Sequence, residues 1–235
     1  MRKIKSKKKK LHVGCGLTTP DSWLNLDGSW NARLAKHPFL KKIVKKLKLV
    51  PSSQIEIPWS SNIFIYNIKK PLPFDDNSFS AVYASHLLEH LYLKKAQDFL
   101  KECFRVVKFG GIVRMMVPDL EEFTRKYIKN KNSESDNELA GNNFMHGLNL
   151  RNQSSPKGNL LYKIYALATD FNSHKWMYDK ESLIHYFKEA GFFEVKKMDH
   201  HQSRISDIEE VETREGLCVE GIKLERIISR KNNKL

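Results

Sequence analysis

The chain has 235 residues, of which 40% are hydrophobic and 29% charged, a balance typical of a globular protein with one sizeable core. No apolar run approaches the roughly 20 residues that span a bilayer, and the basic start from Met1 to Lys10 lacks the apolar stretch of a secretory signal. The three cysteines, Cys15, Cys103 and Cys218, have neither metal-site nor disulfide spacing, so we expect a reducing, cytoplasmic location.

The net charge of +14 comes from 41 basic and 27 acidic residues and is concentrated in a few segments. We predict a basic tail at 1–10, a lysine-rich stretch within 38–50 and a second basic tail at 229–235. Such a surplus attracts phosphate-rich partners, namely nucleic acid, anionic lipid or nucleotide-linked substrates. Solvated lysine-rich faces without a partner explain the same surplus, and composition leaves both explanations open.

Strand and helix patterns alternate along the chain, which predicts an α/β sheet protein in one domain over 11–228. The predicted strands are 10–13, 24–26, 63–66, 81–84, 111–117, 193–198 and 217–224. The predicted helices are 38–49, 87–107, 121–129 and 180–190. The last helix is the best marked, because Asp179 can cap it and Gly191 can end it. An insertion at about 129–176 begins as a polar loop; it either shapes a substrate pocket or is padding without a role in binding, and the sequence leaves both open.

The first predicted strand runs into a glycine turn, with the sequence LHVGCG at 11–16. Two glycines let the backbone turn tightly and let a ligand approach closely. A dinucleotide site is disfavoured, because Thr19 replaces the third glycine and Asp27 follows sooner than the roughly 20 residues of that fingerprint. A carboxylate at the end of the neighbouring strand can still accept hydrogen bonds from both ribose hydroxyls, which predicts a nucleoside site.

The central stretch at 66–90, YNIKKPLPFDDNSFSAVYASHLLEH, has the pattern of a strand, a loop, a strand and a helix. It resembles the class I S-adenosylmethionine-dependent methyltransferases, whose pattern includes LPF…D-x-S-F-D, a hydrophobic strand and H-x-L-E-H. The segments KFGG at 108–111, SHKWMY at 173–178 and AGF at 190–192 are similar to later parts of that family. A narrower likeness is to methyltransferases of surface-polysaccharide genes, with the short first loop and LCVE at 217–220.

The resemblance implies a Rossmann-like sheet of seven strands, mostly parallel, with flanking helices, a short first crossover and an inserted segment after strand five. It also implies S-adenosylmethionine as the cofactor. Its methionine end is expected at the glycine turn of Gly14, Cys15 and Gly16. Asp27 is expected at its ribose and Asn67 beside its adenine.

The same resemblance places Ser85 and His86 at the tip of the fourth strand, beside the methyl group. There are two departures from the family pattern. His12 stands where the family usually has an acidic residue, which puts the contact to the methionine amino group in doubt. Ser80 replaces the usual aspartate after S-F, a change of small consequence.

Methylation of a hydroxyl group requires a base, and histidine titrates in the range that suits this task. We therefore expect O-methylation of a small molecule or a sugar or glycan precursor, with His86 as the nearest base and His146 and His174 as reserves. Asp119, at the end of the fifth strand, is a candidate substrate contact.

The stretch at 86–90 also matches H-x-x-E-H, a zinc motif in which His86 and His90 share one face of a helix. The position directly after a strand favours the methyltransferase interpretation, and we expect no metal in the site. Glu89 and His90 are interpreted as a hydrogen-bonded pair that anchors the helix, with catalysis as the alternative.

Three further alternatives concern function. The basic amphipathic segment at 39–50 suits either peripheral contact with an anionic membrane or packing on the sheet. An RNA methyltransferase is favoured by charge, but the lysine runs lack interleaved aromatic residues and no Asn/Asp-Pro-Pro-Tyr/Trp motif follows the fourth strand. A catalytically silent binding protein on the same fold is the third, because of His12 and Asn67.

Overall fold

The computed structural model describes residues 3–46, 57–133, 137–150 and 173–225. The strands are β1 (Lys10–Val13), β2 (Trp23–Asp27), β3 (Phe64–Ile65), β4 (Phe79–Ser85), β5 (Val107–Val117), β6 (Phe193–Met198) and β7 (Leu217–Ile222). The α-helices are α1 (Trp30–Ala35), α2 (Pro38–Lys46), α3 (Leu93–Val106), α4 (Leu120–Lys131), α5 (Ala140–Leu148) and α6 (Lys180–Glu189). Two 3-10 turns lie at Leu88–His90 and Ile208–Glu210.

The strands form one seven-stranded sheet in the order β3-β2-β1-β4-β5-β7-β6. The pairs from β3 to β5 are parallel, and β7 is antiparallel to both β5 and β6. This confirms the predicted Rossmann-like, mostly parallel sheet. The strand order reverses between β1 and β4, so a crevice opens there at the carboxyl ends of the strands.

One face of the sheet carries the main core beneath α3 and α6. In α3 the buried residues recur at helical spacing and form one apolar stripe: Ala96, Phe99, Leu100, Cys103 and Val106. Helix α6 buries Leu183 and Phe187, and Asp179 caps it by accepting the Ser182 amide at 2.8 Å. The predicted cap of this helix is therefore confirmed.

Two predicted boundaries are wrong because local backbone conformations override the sequence pattern. The helix predicted at 87–107 begins at Leu93, because His86 adopts a left-handed conformation (φ 48°) and a 3-10 turn follows it. The strand predicted to begin at Gly111 begins at Val107, so that the KFGG segment at 108–111 lies inside β5. A bulge accommodates the extra residues of β5, because Phe79 of β4 pairs with Val107 while Ala81, two residues later, pairs with Ile112.

The connection from β1 to β2 contains no helix, so it leaves part of the other sheet face uncovered. Parallel strands are usually joined by a helical crossover of a dozen or more residues, and this one is shorter. The loop between β6 and β7 covers that face instead. Ile205, Ile208 and Val211 of this loop pack in one buried cluster with Trp23 and Tyr83.

A buried ionic network holds that loop against the sheet. Nε of Arg114 on β5 lies 2.7 Å from Oε1 of Glu212, and its Nη1 lies 3.0 Å from Oε1 of Glu220. Nη2 also donates to the carbonyl of Asp199 at 3.0 Å. Because all three ionic side chains are fully buried, each compensates the desolvation of the others.

Part of the segment at 1–10, predicted to be a basic tail, contacts the rest of the fold. Ile4 forms an isolated bridge with Phe74, and its amide donates to the carbonyl of Pro73 at 2.8 Å. The predicted tail at 229–235 and most of the insertion at 129–176 lie outside the described residues. No helix among the described residues has the length and apolar character needed to cross a membrane.

Candidate active site

A cavity of about 230 Å³ lies at the carboxyl ends of β1, β2 and β4. It brings together five residues that the sequence analysis singled out from separate parts of the chain: Gly14, Asp27, Asn67, Ser85 and His86. The other lining residues are Gly28, Ser29, Ile68, Lys69, Leu87, His90, Leu91 and Arg214. The cavity lies where the strand order reverses, the usual ligand position in an open parallel sheet.

The carboxylate of Asp27 is buried at the wall of the cavity and held by two backbone amides. Gly16 donates to Oδ2 at 3.0 Å, and Ser29 donates to Oδ1 at 2.7 Å. Each carboxylate oxygen has a second lone pair, so the group can also accept hydrogen bonds from two adjacent hydroxyls. Asp27 is thus fixed in place and chemically suited to a ribose.

The glycine turn after β1 is shaped by left-handed backbone at Gly14 (φ 68°) and Gly16 (φ 55°). The amides of Gly14 and Cys15 both donate to the carbonyl of Leu26, at 2.8 and 3.2 Å, which draws the turn over β2. A Cβ atom at Gly14 would lie 3.0 Å from Cδ1 of Leu87. A side chain there would therefore be strained and would narrow the cavity.

Cys15 does not line this cavity, although the sequence placed it beside the cofactor. Its side chain is buried, and burial together with the Asp27 carboxylate raises the pKa of the thiol to about 12. The thiol is therefore neutral at physiological pH, and its part in binding stays a prediction.

Two neighbouring segments form the side of the cavity away from β4. Gly28 directly follows β2 and lies against the chain that follows β3. A Cβ atom at Gly28 would lie 2.2 Å from the carbonyl oxygen of Tyr66. Asn67 is exposed, and its Oδ1 accepts the Lys69 amide at 3.0 Å, which fixes the turn. The side-chain amide of Asn67 remains suited to hydrogen bonding with a base, as predicted for the adenine position.

At the tip of β4, Ser85 and His86 face the cavity. Oγ of Ser85 donates to the sulfur of Met116 at 3.4 Å. The ring of His86 has an oxygen near each nitrogen, because Nδ1 lies 3.2 Å from Oε1 of Glu89 and Nε2 lies 3.2 Å from the carbonyl of Glu215. His86 also has a left-handed backbone. In residues other than glycine this conformation is strained, and such strain is concentrated at functional sites.

A cluster of ionisable side chains lies behind His86. Glu89 is fully buried, and the rings of His90 and His174 meet edge to face with centroids 5.1 Å apart. Nδ1 of His174 lies 2.8 Å from the carbonyl of Leu148, and burial lowers the pKa of this histidine. His86 and His90 do not share one helix, so the zinc-hydrolase arrangement considered for this motif is not formed.

Four other predicted site residues do not line the cavity, namely Gly16, Asp119, His146 and His174. His146 is exposed on α5. Asp119 is the N-cap of α4, where its Oδ1 accepts the amides of Glu121 and Glu122 at 3.0 and 3.4 Å. Asp119 thus has a clear structural role, and its contact with a substrate stays a prediction.

His12 is turned away from the cavity and packs beside the rings of Trp23 and Tyr83. Burial lowers its pKa to about 3, so the ring is neutral at physiological pH. It is also not among the cavity-lining residues. The acidic contact that the family usually places at this position is therefore not replaced by the His12 side chain.

Sequence reasoning missed several lining residues. Arg214 and the carbonyl of Glu215 reach the site from the loop between β6 and β7, and no local pattern marks them. Gly28 and Ser29 directly follow Asp27, and a glycine after a strand-end carboxylate was a signal that could have identified Gly28.

Residues 11–115 match the family model of a methyltransferase domain, methyltransferase 11. No curated protein matches the chain in sequence. Solved structures that are similar to it include the following three. A complex of the Haloferax volcanii Trm112 methyltransferase activator with a methyltransferase is 13% identical, with 94% of this chain and 85% of that chain covered and a TM-score of 0.45. An S-adenosylmethionine-dependent methyltransferase of Thermotoga maritima is 17% identical, with 94% and 84% covered and a TM-score of 0.43. Haemonchus contortus phosphoethanolamine N-methyltransferase 2 is 11% identical, with 94% and 50% covered and a TM-score of 0.45.

Proposed function

We propose that this chain, whose residues 11–115 form a class I S-adenosylmethionine-dependent methyltransferase domain, methylates a hydroxyl group of a small molecule or of a sugar or glycan precursor. The observation that carries this proposal is the position of His86. Its imidazole lines the same cavity as Asp27 and Gly14, at the tip of the strand beside them. A proton acceptor at this position is what hydroxyl methylation requires.

S-adenosylmethionine is the cofactor of this domain, and the residues of the cavity fit it. The oxygens of Asp27 can accept from both ribose hydroxyls, and the side-chain amide of Asn67 can pair with adenine. The space beside Gly14 is open to the methionine part because no Cβ atom occupies it. When bound, the cofactor supplies a methyl group on a sulfonium, which is transferred by in-line displacement.

The residues of the chain then have to orient the acceptor and take its proton. His86 can do this through Nε2 in the tautomer that carries the ring proton on Nδ1, once the acceptor hydroxyl replaces the carbonyl of Glu215 as the partner of Nε2. Oε1 of Glu89 lies 3.2 Å from Nδ1, so a carboxylate is close to the ring as it takes up the proton. Leu87 and Leu91 contribute apolar surface to the cavity, which helps to exclude water from the reacting atoms.

A matched substitution tests the role of His86. His86→Asn suits the left-handed backbone, which asparagine tolerates, whereas alanine would add strain of its own. We expect the affinity for S-adenosylmethionine, measured by calorimetry, to stay within about twofold. Turnover should fall by roughly 100-fold or more, as for loss of a general base. Full turnover in this variant would remove His86 from the mechanism.

The acceptor class is tested by incubating the chain with methyl-labelled cofactor and fractions of a cell extract. Label in a sugar or small-molecule fraction, stable to conditions that cleave methyl esters, supports the proposal. Label in RNA supports the alternative that the basic charge raises. Absence of cofactor binding at high micromolar concentrations would favour a catalytically silent protein.

Peripheral contact with an anionic membrane is proposed as the setting of this reaction. Helix α2 buries Val44 but leaves Phe39 78% exposed, with Leu40 and Ile43 also exposed. Lysines 41, 42, 45 and 46 lie on the same helix, a combination suited to an anionic surface. Sedimentation with anionic and neutral vesicles tests it: Phe39→Glu should lose binding to anionic vesicles, and equal binding to neutral ones would contradict it.

A further inference from the structure

Three side chains at and beside the cavity, Glu89, His90 and His174, bring potential metal-ligand atoms close together. Glu89 and His90 belong to the 3-10 turn after β4, and His174 comes from the segment before α6. One ligand atom of each lies within 4.8 Å of the other two. Two imidazoles and one carboxylate are a donor set that zinc and similar divalent ions bind in proteins.

The carboxylate of Glu89 indicates that this set is more than a chance grouping. Glu89 is 0% exposed. Neither of its carboxylate oxygens forms a hydrogen bond with any of the described residues. Nδ1 of His86 approaches Oε1 to 3.2 Å, but the direction is unsuited to a hydrogen bond. A buried carboxylate with so little compensation is costly, and a bound cation would supply the missing charge.

The two histidines are held in the orientation typical of metal ligands. Nδ1 of His174 lies 2.8 Å from the carbonyl of Leu148, and Nδ1 of His90 lies 3.3 Å from the carbonyl of Ser173. A carbonyl can only accept, so each Nδ1 carries a proton, and a metal ion would be bound through Nε2 of the neutral ring. Metal-binding histidines commonly donate their other nitrogen to a carbonyl in this way.

We propose that Glu89, His90 and His174 bind a divalent first-row transition metal of the zinc type, with at least one position left for water. Glu89 has two oxygens, so it can bind the ion and still face His86. The ion would fasten the segment from residue 173 to the turn after β4. The amides of Lys175 and Trp176 already donate to the carbonyl of Glu89, at 2.6 and 3.2 Å. This site does not depend on the identity of the methyl acceptor.

A second cluster of similar composition provides a contrast. His200, His201 and Glu212 also bring ligand atoms together. The carboxylate of Glu212, however, is already paired with Arg114 at 2.7 and 2.9 Å and accepts the His201 amide at 2.6 Å. Its charge is compensated, so this cluster lacks the uncompensated anion found at Glu89.

The test uses the full chain without an affinity tag, freed of metal with a chelator. Zn²⁺ is titrated in by calorimetry, and Co²⁺ binding is followed by its visible absorption. We expect one ion per chain. Glu89→Gln keeps the shape and removes the charge, and His174→Ala removes one imidazole; each should weaken Zn²⁺ affinity by about 100-fold or more. His185→Ala, an exposed histidine on α6, is the matched control and should bind as the wild type does.

Thermal unfolding of each metal-free variant establishes whether it is folded. If Glu89→Gln does not fold, the affinity of His174→Ala for Zn²⁺ decides whether the site exists. Wild-type Zn²⁺ affinity in a folded Glu89→Gln or His174→Ala variant would overturn the proposal. So would absence of Zn²⁺ binding to the wild type, or loss of binding only on substitution of His200.

Discussion

Asp27 connects three parts of the site through one carboxylate group. It is held by the glycine turn after β1 and by the amide at the start of α1, and it faces the cavity. The family resemblance placed Gly14, Asp27, Ser85 and His86 at the site, and the fold brings them together because each lies at the end of a parallel strand. Arg214 could not, because the path of its loop depends on packing far away in the sequence.

The first prediction concerns Asp27→Asn. Asparagine keeps one oxygen but turns an NH₂ group toward a backbone amide, and it offers one acceptor fewer to the ribose. We expect the Kd for S-adenosylmethionine, measured by calorimetry, to rise by roughly tenfold to a hundredfold, the usual value of hydrogen bonds to a charged group. Asp98→Asn, an exposed change on α3, should leave the Kd unaltered. Equal affinity in both variants would show that Asp27 does not bind the cofactor.

The second prediction concerns stability at acidic pH and follows from His12. Burial lowers its folded pKa to about 3, whereas in the unfolded chain it is close to 6.5. Between these values the unfolded state binds the proton, so stability falls as the pH decreases from 6.5 toward 3. At pH 5 the loss is about 2 kcal/mol relative to neutral pH.

Denaturant unfolding between pH 5 and 7 measures this effect. The variant His12→Gln should show a flatter dependence of the unfolding free energy on pH, because a group that titrates has been removed. His185→Gln on the surface should keep the wild-type slope. An unchanged slope in His12→Gln would mean that His12 is not the group responsible.

At the scale of elements, the bounds of the strands were predicted more accurately than those of the helices. The bounds of β1 and β6 agree with the sequence prediction, since short apolar or alternating runs mark them. The start of α3 was wrong because no residue pattern announces a left-handed histidine. Helices α1 and α5 were not predicted, because both are short and α5 contains two glycines that weaken the helical pattern.

The close approach of β2 to β3 gives the third prediction. In Gly28→Ala the new methyl group would meet the Tyr66 carbonyl, and backbone cannot move aside as easily as a flexible side chain. We expect a loss of about 1–3 kcal/mol in unfolding free energy together with weaker binding of S-adenosylmethionine. Calorimetry and denaturant unfolding measure the two effects.

Gly141→Ala provides the matched control, because the space around Gly141 on α5 is open. Alanine there should leave stability unchanged or raise it by about 0.5–1 kcal/mol. If the two variants unfold alike, the contact between β2 and β3 is not as close as described.

At the scale of the whole molecule, the chain is held together by contacts between its beginning and its end. The seven-stranded, mostly parallel sheet was implied by the family resemblance, as was the short first crossover. What could not be predicted is that the loop between β6 and β7 covers the face that this crossover leaves open. That arrangement depends on Arg114, Glu212 and Glu220 meeting in the interior, and residues so far apart in sequence show no common pattern.

The fourth prediction tests that network. In Arg114→Met the buried carboxylate of Glu212 loses its arginine partner and Glu220 keeps Arg204, which should cost about 3–5 kcal/mol of unfolding free energy. Arg125→Met removes an exposed arginine that pairs with Glu121 on α4 and should cost less than about 0.5 kcal/mol. Because the network also holds the loop that carries Arg214, the Arg114 variant should bind S-adenosylmethionine more weakly. Equal stability of the two variants would contradict a structural role for the network.

The missing helix after β1 also has a consequence for biosynthesis. The residues that shield Trp23 and Tyr83 lie at 205–211, so they are translated after every strand except β7. At about 5–20 residues per second, the ribosome takes on the order of 10 s to translate the chain from Tyr83 to Ile205. During that interval the nascent chain carries a bare aromatic surface, so this enzyme should depend on chaperones until its final strand has emerged.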